Sequence, residues 1–285
     1  MPHTLAPAEQ LAHSTIRIEV EAADGSVGTG TGFFFQFAKV GETTVPAVVT
    51  NKHVVAGARK GRFYVTLAGP DGNPSYGTHE PVNFENFESF WIPHPDPDID
   101  LCAMPVAPLL HAAEQASKRL FFIALDHAML PSDSELSEMT MLEDVVMVGY
   151  PNGIWDQTNN MPILRRGVAA THPNLDWNGR PEFLIDAACF PGSSGSPVFL
   201  FNLGSYTTKS GGTMMGASRI KLLGILYAGP QHIATGEIRI VAIPTVDKPI
   251  SMTSIPNNLG MIIKARKLME LDAIFLEHLL REGKA

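Results

Sequence analysis

The sequence predicts an all-β protein, two barrels side by side, ending in an α-helix. Three observations point there. The chain is divided into short apolar runs, many bounded by clusters of Gly, Pro, Asn, Asp and Ser, which is strand-and-turn punctuation. Its 285 residues, 45% hydrophobic and 18% charged, suit one large domain or two small ones with a real core. Near the end, Leu268, Leu271, Ile274, Phe275, Leu279 and Leu280 recur at the spacing of an amphipathic helix over 266–281.

In chain order, a strand is expected at 16–20. The Gly/Thr repeat 28–32 feeds a second strand at 33–37. That repeat lacks the Lys-Ser/Thr and the helix that a phosphate loop requires, so a turn is the simpler reading. Further strands are expected at 46–51, 62–68 and 101–104. Residues 70–80 read as a loop, and 88–92 as a segment able to pair back. The stretch 105–131 changes character, with mixed helical periodicity, and 132–141 is polar and reads as a loop. Strands resume at 144–151, 165–171 and 182–189, with a long polar loop at 152–162 and a turn at 174–181. Residues 203–216 are rich in Ser, Thr and Gly and read as an exposed loop. Strands at 220–229, 237–244 and 260–265 complete the chain. The expected organisation is a first barrel over 1–110, a linker over 111–142, and a second barrel with the helix over 143–285.

Charge and composition narrow the function. A net charge of −8 argues against nucleic acid as a partner, and no apolar run reaches membrane-spanning length, so no membrane partner is expected. Residues 1–15 do not combine a basic start with an apolar stretch, so no signal peptide is expected. Two cysteines, Cys102 and Cys189, fit a reducing compartment and a cytoplasmic protein, and both read as core thiols. His79, His94, His111 and His172 show no metal-ligand spacing and read as surface or loop residues.

One stretch carries chemistry: Asp186-Ala-Ala-Cys-Phe-Pro-Gly-Ser-Ser-Gly-Ser-Pro-Val198. It leaves a strand, turns tightly and re-enters a strand. A serine in such a turn projects its hydroxyl while nearby N–H groups converge, as acyl transfer needs. Ser194 is the candidate nucleophile, with the N–H groups of Gly192 and Ser194 as oxyanion donors. His53 ends the apolar run 46–51 and is placed as a general base. Of the acids in His94-Pro-Asp-Pro-Asp-Ile-Asp100, Asp96 and Asp98 adjoin prolines. Asp100 abuts the buried run, where a carboxylate is desolvated and aimed at an imidazole.

Gly192-Ser193-Ser194-Gly195-Ser196-Pro197 resembles the Gly-Asp-Ser-Gly-Gly-Pro signature of chymotrypsin-fold serine proteases, and the run from Asp186 is similar to their HtrA-like branch. His53 within Asn51-Lys52-His53 and Asp100 before Leu101-Cys-Ala resemble that family's other two motifs. The resemblance covers most of the chain. The order His, Asp, Ser differs from that of α/β-hydrolases. It implies two antiparallel six-stranded β-barrels of chymotrypsin type with a C-terminal helix packed on the second, and no PDZ domain following. It also implies a Ser194–His53–Asp100 triad hydrolysing peptide bonds through an acyl-enzyme, without metal or cofactor. Leu222-Leu-Gly-Ile-Leu-Tyr-Ala-Gly229 is similar to the strand that pairs with substrate, with Tyr227, Ala228 and Gly229 walling the pocket. Ala188, six residues before the nucleophile, maps to the pocket base, where trypsin-like enzymes place Asp. A small or medium apolar P1 residue is expected.

Three departures stand out. Ser193 replaces the acid that pairs with a newly cut N-terminus in trypsin-like zymogens, so that activation is not expected. Ser196 replaces a Gly. Tyr227 stands where the family often has a Ser or Thr supporting the carboxylate. The alternatives to a serine endopeptidase are a catalytically silent or latent module that binds peptides or partner proteins, and an esterase. Loops 152–162 and 203–216 are the places where gating or a regulatory protein partner would act.

Overall fold

The computed structural model describes residues 5–40, 43–229, 231–237, 250–256 and 258–281. After a short helix α1 (Pro7–Ala12), the first half forms an eight-stranded antiparallel sheet. Its strands are β1 (Thr15–Ala22), β2 (Val27–Val40), β3 (Thr43–Thr50), β4 (Ala58–Ala68), β5 (Pro74–Glu85), β6 (Ile92–Pro93), β7 (Cys102–Pro105) and β8 (Leu120–Phe121). They lie in the order β5-β4-β1-β2-β3-β7-β6, with β8 on β4. A one-turn helix α2 (Lys52–Val55) follows β3, and α3 (Ala107–Gln115) and α4 (Asp133–Glu138) lie in the connection to the second half.

The second half closes on itself as a six-stranded barrel. Its strands are β9 (Asp144–Gly149), β10 (Ile163–Ala169), β11 (Glu182–Asp186) and β12 (Pro197–Asn202), with two more after a hairpin. The hairpin is β13 (Ser205–Thr207) and β14 (Thr213–Met215), and β15 (Arg219–Ala228) returns to the barrel. Strands β16 (Gln231–Glu237) and β17 (Ile250–Pro256) pair with each other as a separate ribbon. Strand β18 (Leu259–Lys264) completes the ring β10-β11-β18-β15-β12-β9, and α5 (Leu268–Arg281) follows. Among the described residues no helix is long and apolar enough to cross a membrane.

Strand β2 holds the two halves together. Side chains alternate across a strand, and β2 is apolar on both faces. Phe34 joins Ile16, Ile18, Val48 and Phe63 inside the first sheet. Phe33, Phe35 and Phe37 face the other way, into a core shared with Val148, Phe199, Ile225 and Ile263 of the barrel and with Leu268, Leu271 and Phe275. The Phe37 and Phe275 rings stack at 4.7 Å, and Asp272 of α5 accepts the Ala38 N–H at 2.6 Å. The terminal helix therefore seals the junction of the halves.

Several local expectations change. The Gly/Thr repeat is not a turn but the first part of β2, with Gly28, Gly30 and Gly32 opposite Val20, Ile18 and Ile16. A Cβ at Gly30 would lie 2.4 Å from Val54, and one at Gly32 would lie 2.6 Å from Val48, so only glycine lets these layers meet. Most of the expected loop 70–80 belongs to β5, a largely polar edge strand that needs no apolar face because it borders solvent. Segment 88–92 is mainly a 3₁₀ turn, and pairing begins only at Ile92. The polar stretch 132–141 contains α4, started by a reciprocal capping box between Ser132 and Glu135. The loop 203–216 contains the β13–β14 hairpin. The strand expected at 237–244 lies outside the described residues except for Glu237, which ends β16.

His94 lies in a loop but is buried, at 3% exposure, beneath the start of α5. Its Nδ1 accepts the Asp96 N–H at 3.1 Å and its Nε2 meets the Lys267 carbonyl at 3.2 Å, which fits a neutral ring. Burial pushes His94 below its ordinary value, against the opposing pull of Glu270, and burial likewise lowers His13. Below an ordinary histidine value of about 6.5 the unfolded chain takes up protons that these folded rings refuse. Stability is therefore expected to fall as pH drops through this region toward the folded values. Urea midpoints at pH 7.5 and 5.5 check it, and His94→Gln is expected to flatten the difference. A midpoint that rises on acidification would overturn the assignment.

Candidate active site

His53 sits in α2, immediately after β3, and Asp100 immediately precedes the run leading into β7. Strands β3 and β7 are neighbours, with Thr50 opposite Cys102, so the sheet itself brings the two residues together. His53 Nδ1 and Asp100 Oδ2 lie 2.5 Å apart. The other carboxylate oxygen accepts the His53 main-chain N–H at 3.1 Å. Asn51, fully buried, donates through Nδ2 to the Asp100 carbonyl at 2.7 Å, and Lys52 Nζ reaches the Asp96 carbonyl at 2.9 Å. Burial pushes the Asp100 carboxyl up, but the His53 ring and main-chain N–H contacts outweigh it and leave the group below the ordinary carboxylate value. It is therefore an anion fixed on the imidazole. Asp96 instead accepts the Asp98 N–H within the loop.

Ser194 lies on the turn between β11 and β12. Its carbonyl accepts the Thr31 N–H at 2.8 Å, which ties the turn to β2 of the other half. Gly195 is the pivot. Its φ is +86°, and a Cβ there would collide with the Thr31 carbonyl and Thr50 Oγ1. The Gly195 N–H donates to the Leu226 carbonyl at 2.8 Å, and Leu226 N–H returns to the Ser196 carbonyl at 2.9 Å. His53, Gly192 and Ser194 line one cavity of about 380 Å³, with Thr29 and Pro191 also in its wall. The geometry thus collects the serine, the histidine and the Gly192 turn around a single space.

Phe190 to Ser193 is a tight turn, closed by the Ser193 N–H on the Phe190 carbonyl at 3.0 Å. Gly192 has φ +87°. Its carbonyl accepts Thr31 Oγ1 at 3.0 Å, and that oxygen in turn accepts the Tyr150 N–H at 3.0 Å. The N–H groups of Gly192 and Ser194 have no hydrogen-bond acceptor among the described residues. Ser193 is buried, and its hydroxyl has no partner among the described residues.

The expected pocket residues lie on the same end of the barrel. Cys189 Sγ comes within 2.7 Å of where a Gly260 Cβ would sit, and Cys189 Cβ within 3.9 Å of that point at Gly229. The Ala188 carbonyl accepts Arg165 Nη1 at 3.0 Å, and the guanidinium lies over the Phe190 ring. Tyr227 falls at a register shift between β15 and β18, next to Ala228, and its hydroxyl points to Met261 Sδ at 3.9 Å, not to Asp100. Burial and the nearby Glu182 carboxylate push its phenol well above the ordinary range. The carboxylate of Asp100 is held by main-chain N–H instead. Both cysteines are buried free thiols, and burial raises each.

Two residues at this site belong to no motif, Asn152 and Arg17; a third, Thr31, lies in Gly30-Thr31-Gly32-Phe33, similar to a segment that opens the first barrel near the active site in chymotrypsin-fold proteases. The Gly/Thr alternation of 28–32 and the Asn-Gly pair at 152–153 were the available signals. In an alternating strand with glycine on one face, the threonines face the other side. Strand alternation alone does not say that this other side meets the Ser194 turn.

A family profile for the trypsin-like peptidase domain matches residues 30–205, and the chain belongs to that family. No curated protein sequence matches it. Among solved structures, a variant of the HtrA-type protease AlgW, solved with a tripeptide, superposes with a TM-score of 0.50 at 14% identity, covering 95% of this chain and 62% of the other. The Rv3671c protease from M. tuberculosis, in its active form, gives 0.44 at 17% identity, covering 93% and 84%. The chain thus spans under two thirds of the AlgW chain, and at 14% identity that likeness concerns the fold.

Proposed function

We propose that this chain is a serine endopeptidase in which Ser194, His53 and Asp100 form the triad. The observation that carries the reading is the shared cavity, lined both by an imidazole backed by a lowered carboxylate and by a serine on a glycine-pivoted turn. His53, bound to Asp100 through Nδ1, keeps Nε2 to accept the Ser194 hydroxyl proton as Oγ bonds to the scissile carbonyl carbon. The carbonyl π electrons move to oxygen, and the Gly192 and Ser194 N–H groups receive that oxyanion. His53 passes its proton to the leaving amine as the C–N bond breaks, and water repeats the steps on the ester. The first half, 1–110, contributes the base and its carboxylate. The second, 143–285, contributes the serine and pocket, and 111–142 joins them. No metal or cofactor takes part. Two buried, unpaired thiols suit a reducing, cytoplasmic setting.

An apolar pocket is supported by the residues expected to line it. Ala188, Cys189 and Gly229 offer no carboxylate, and Arg165 is engaged by the Ala188 carbonyl and the Phe190 ring. A small or medium apolar P1 side chain fits this wall, with Tyr227, Ala228 and Gly229 offering an edge to the substrate backbone. The test has two parts. A fluorophosphonate probe is expected to label the protein at Ser194. A peptide panel is expected to show kcat/KM at least about tenfold higher after Ala, Val or Leu than after Arg or Lys, the scale a misfit pocket imposes. Absent labelling would favour a latent or silent binding module, and turnover confined to esters would favour an esterase. Cleavage mainly after Asp or Glu would overturn the apolar pocket and point to Arg165.

A further inference from the structure

The direction of one N–H group decides whether a Ser194 oxyanion site exists, and the turn that carries it favours one direction without locking it. Pro191 and Gly192 are the two central residues of the Phe190–Ser193 turn. Proline suits the first position whether the turn is of the common type or the type with positive φ at the second position, and glycine accepts both. The two forms differ by a half rotation of the Pro191–Gly192 peptide. Gly192 at φ +87° is in the second form, which the Pro-Gly pair itself favours, and a contact outside the turn adds to that preference and locks it.

That contact is the Asn152 N–H, which donates to the Pro191 carbonyl at 2.5 Å. No peptide in the described chain is cis. In a trans peptide the carbonyl and N–H point in opposite directions. Pinning the Pro191 carbonyl on Asn152 therefore aims the Gly192 N–H away from it. Asn152 itself is held in an uncommon conformation, φ 50° and ψ 25°, followed by Gly153 at φ +66°. Asparagine tolerates this left-handed region better than most residues, and a β-branched residue does so poorly.

Arg17 of β1 holds that left-handed pair from the other half of the molecule. Its side chain is 9% exposed and its Nη1 donates to the Gly153 carbonyl at 2.6 Å. Glu19 fixes the rest of the guanidinium, accepting Nε at 3.1 Å and Nη2 at 2.7 Å. The Trp155 ring lies 5.3 Å from the guanidinium carbon and 4.9 Å from the Tyr64 ring of β4. At its far end the loop is anchored by Asn160 Nδ2 on the Tyr64 carbonyl and Thr66 Oγ1, at 3.1 and 3.0 Å. Far from being a loose gate, 150–160 is strapped across the first sheet.

We infer that Asn152 and Arg17 are positioning residues for the oxyanion site: Arg17 holds the Asn152–Gly153 turn, whose N–H fixes the Pro191–Gly192 peptide. This rests on the proposed role of Gly192 N–H as an oxyanion donor. Loss of such a donor typically lowers kcat about 10²- to 10³-fold, and a donor that is misaimed only part of the time costs less. Asn152→Val and Arg17→Met are expected to lower kcat about 10- to 100-fold with KM within about threefold, and to slow fluorophosphonate labelling in parallel. Asn152→Gly keeps both the N–H and the left-handed conformation and is expected to retain at least about tenfold more kcat than Asn152→Val.

Rates are measured on folded protein, well below each variant's thermal midpoint. A strap that only supports the fold would lower that midpoint and leave kcat per folded molecule unchanged, and this result overturns the inference. Equal losses in Asn152→Gly and Asn152→Val also overturn it. Crystal structures of the parent and Asn152→Val supply a readout independent of activity. A rotated Pro191–Gly192 peptide in the variant is expected, and the parental orientation in both refutes the positioning role. A parent that neither cleaves peptides nor labels would sink the protease reading, while the crystal comparison would still decide the positioning.

Discussion

Ser194→Ala is expected to lower kcat by about 10⁴- to 10⁶-fold, the range found when the nucleophile is removed from a serine-protease triad. The substitution deletes one oxygen and leaves the main-chain contacts of the turn in place, including Thr31 N–H on the Ser194 carbonyl. Folding should therefore be nearly unaffected, with a stability change within about 0.5 kcal/mol, as for a substitution outside special contacts. The triad acts as a unit, so the double variant Ser194→Ala with His53→Ala is expected to be no slower than the single one. Single-turnover kinetics with a cleavable peptide, beside a thermal scan, measure both quantities. Activity retained above about 1% of the parent would place the chemistry elsewhere, since residual catalysis from binding alone is far smaller.

The residues of the proposed triad were picked out because each stands where an apolar run ends. His53 follows 46–51, Asp100 precedes 101–104, and Ser194 lies in a Gly-Ser-Ser-Gly turn between two runs. Strand alternation was equally legible in Phe33 to Phe37, whose two apolar faces meet two separate cores. What escaped is what distant segments supply. Thr31 meets Gly192 across 161 residues, and Arg17 meets Gly153 across 136. A threonine or an arginine in a strand carries no sign of such a partner. The burial of His94 depends on the turn that enters α5, 173 residues away at Lys267.

Other misses had local signals of unequal quality. The box Ser132-Asp-Ser-Glu135 is a helix start, and the apparent loop contained its own evidence for α4. The polar strand β5 had none. Its residues 79–85 alternate weakly, and their extended form comes from pairing with 60–66 of β4. Edge strands lean on a neighbour for structure and on solvent for their outer face, so their side chains need not alternate strongly. The Gly/Thr repeat misled for a related reason: glycine marks turns in general, but at Gly30 and Gly32 it marks the close approach of packed layers.

Asp100→Asn is expected to lower kcat about 10⁴-fold near neutral pH with little change in fold. The carboxylate does two jobs with two oxygens: Oδ1 takes the His53 main-chain N–H and Oδ2 takes the ring at Nδ1. An asparagine can keep only one oxygen there. If that oxygen stays on the main-chain N–H, the amide NH₂ faces Nδ1 and donates to it. The ring is then forced into the tautomer protonated at Nε2, which has no lone pair for the Ser194 proton. The ring stays in place, so KM is expected to remain within about threefold while kcat collapses, the split that marks loss of transition-state stabilisation. Asp98→Asn is the matched control. Its carboxylate is outside the His53 contact, and kcat is expected to change less than about twofold, as for an ordinary surface substitution. Equal losses in the two variants, or a loss at Asp100 below about tenfold, would show that the short His53–Asp100 contact does not set the tautomer.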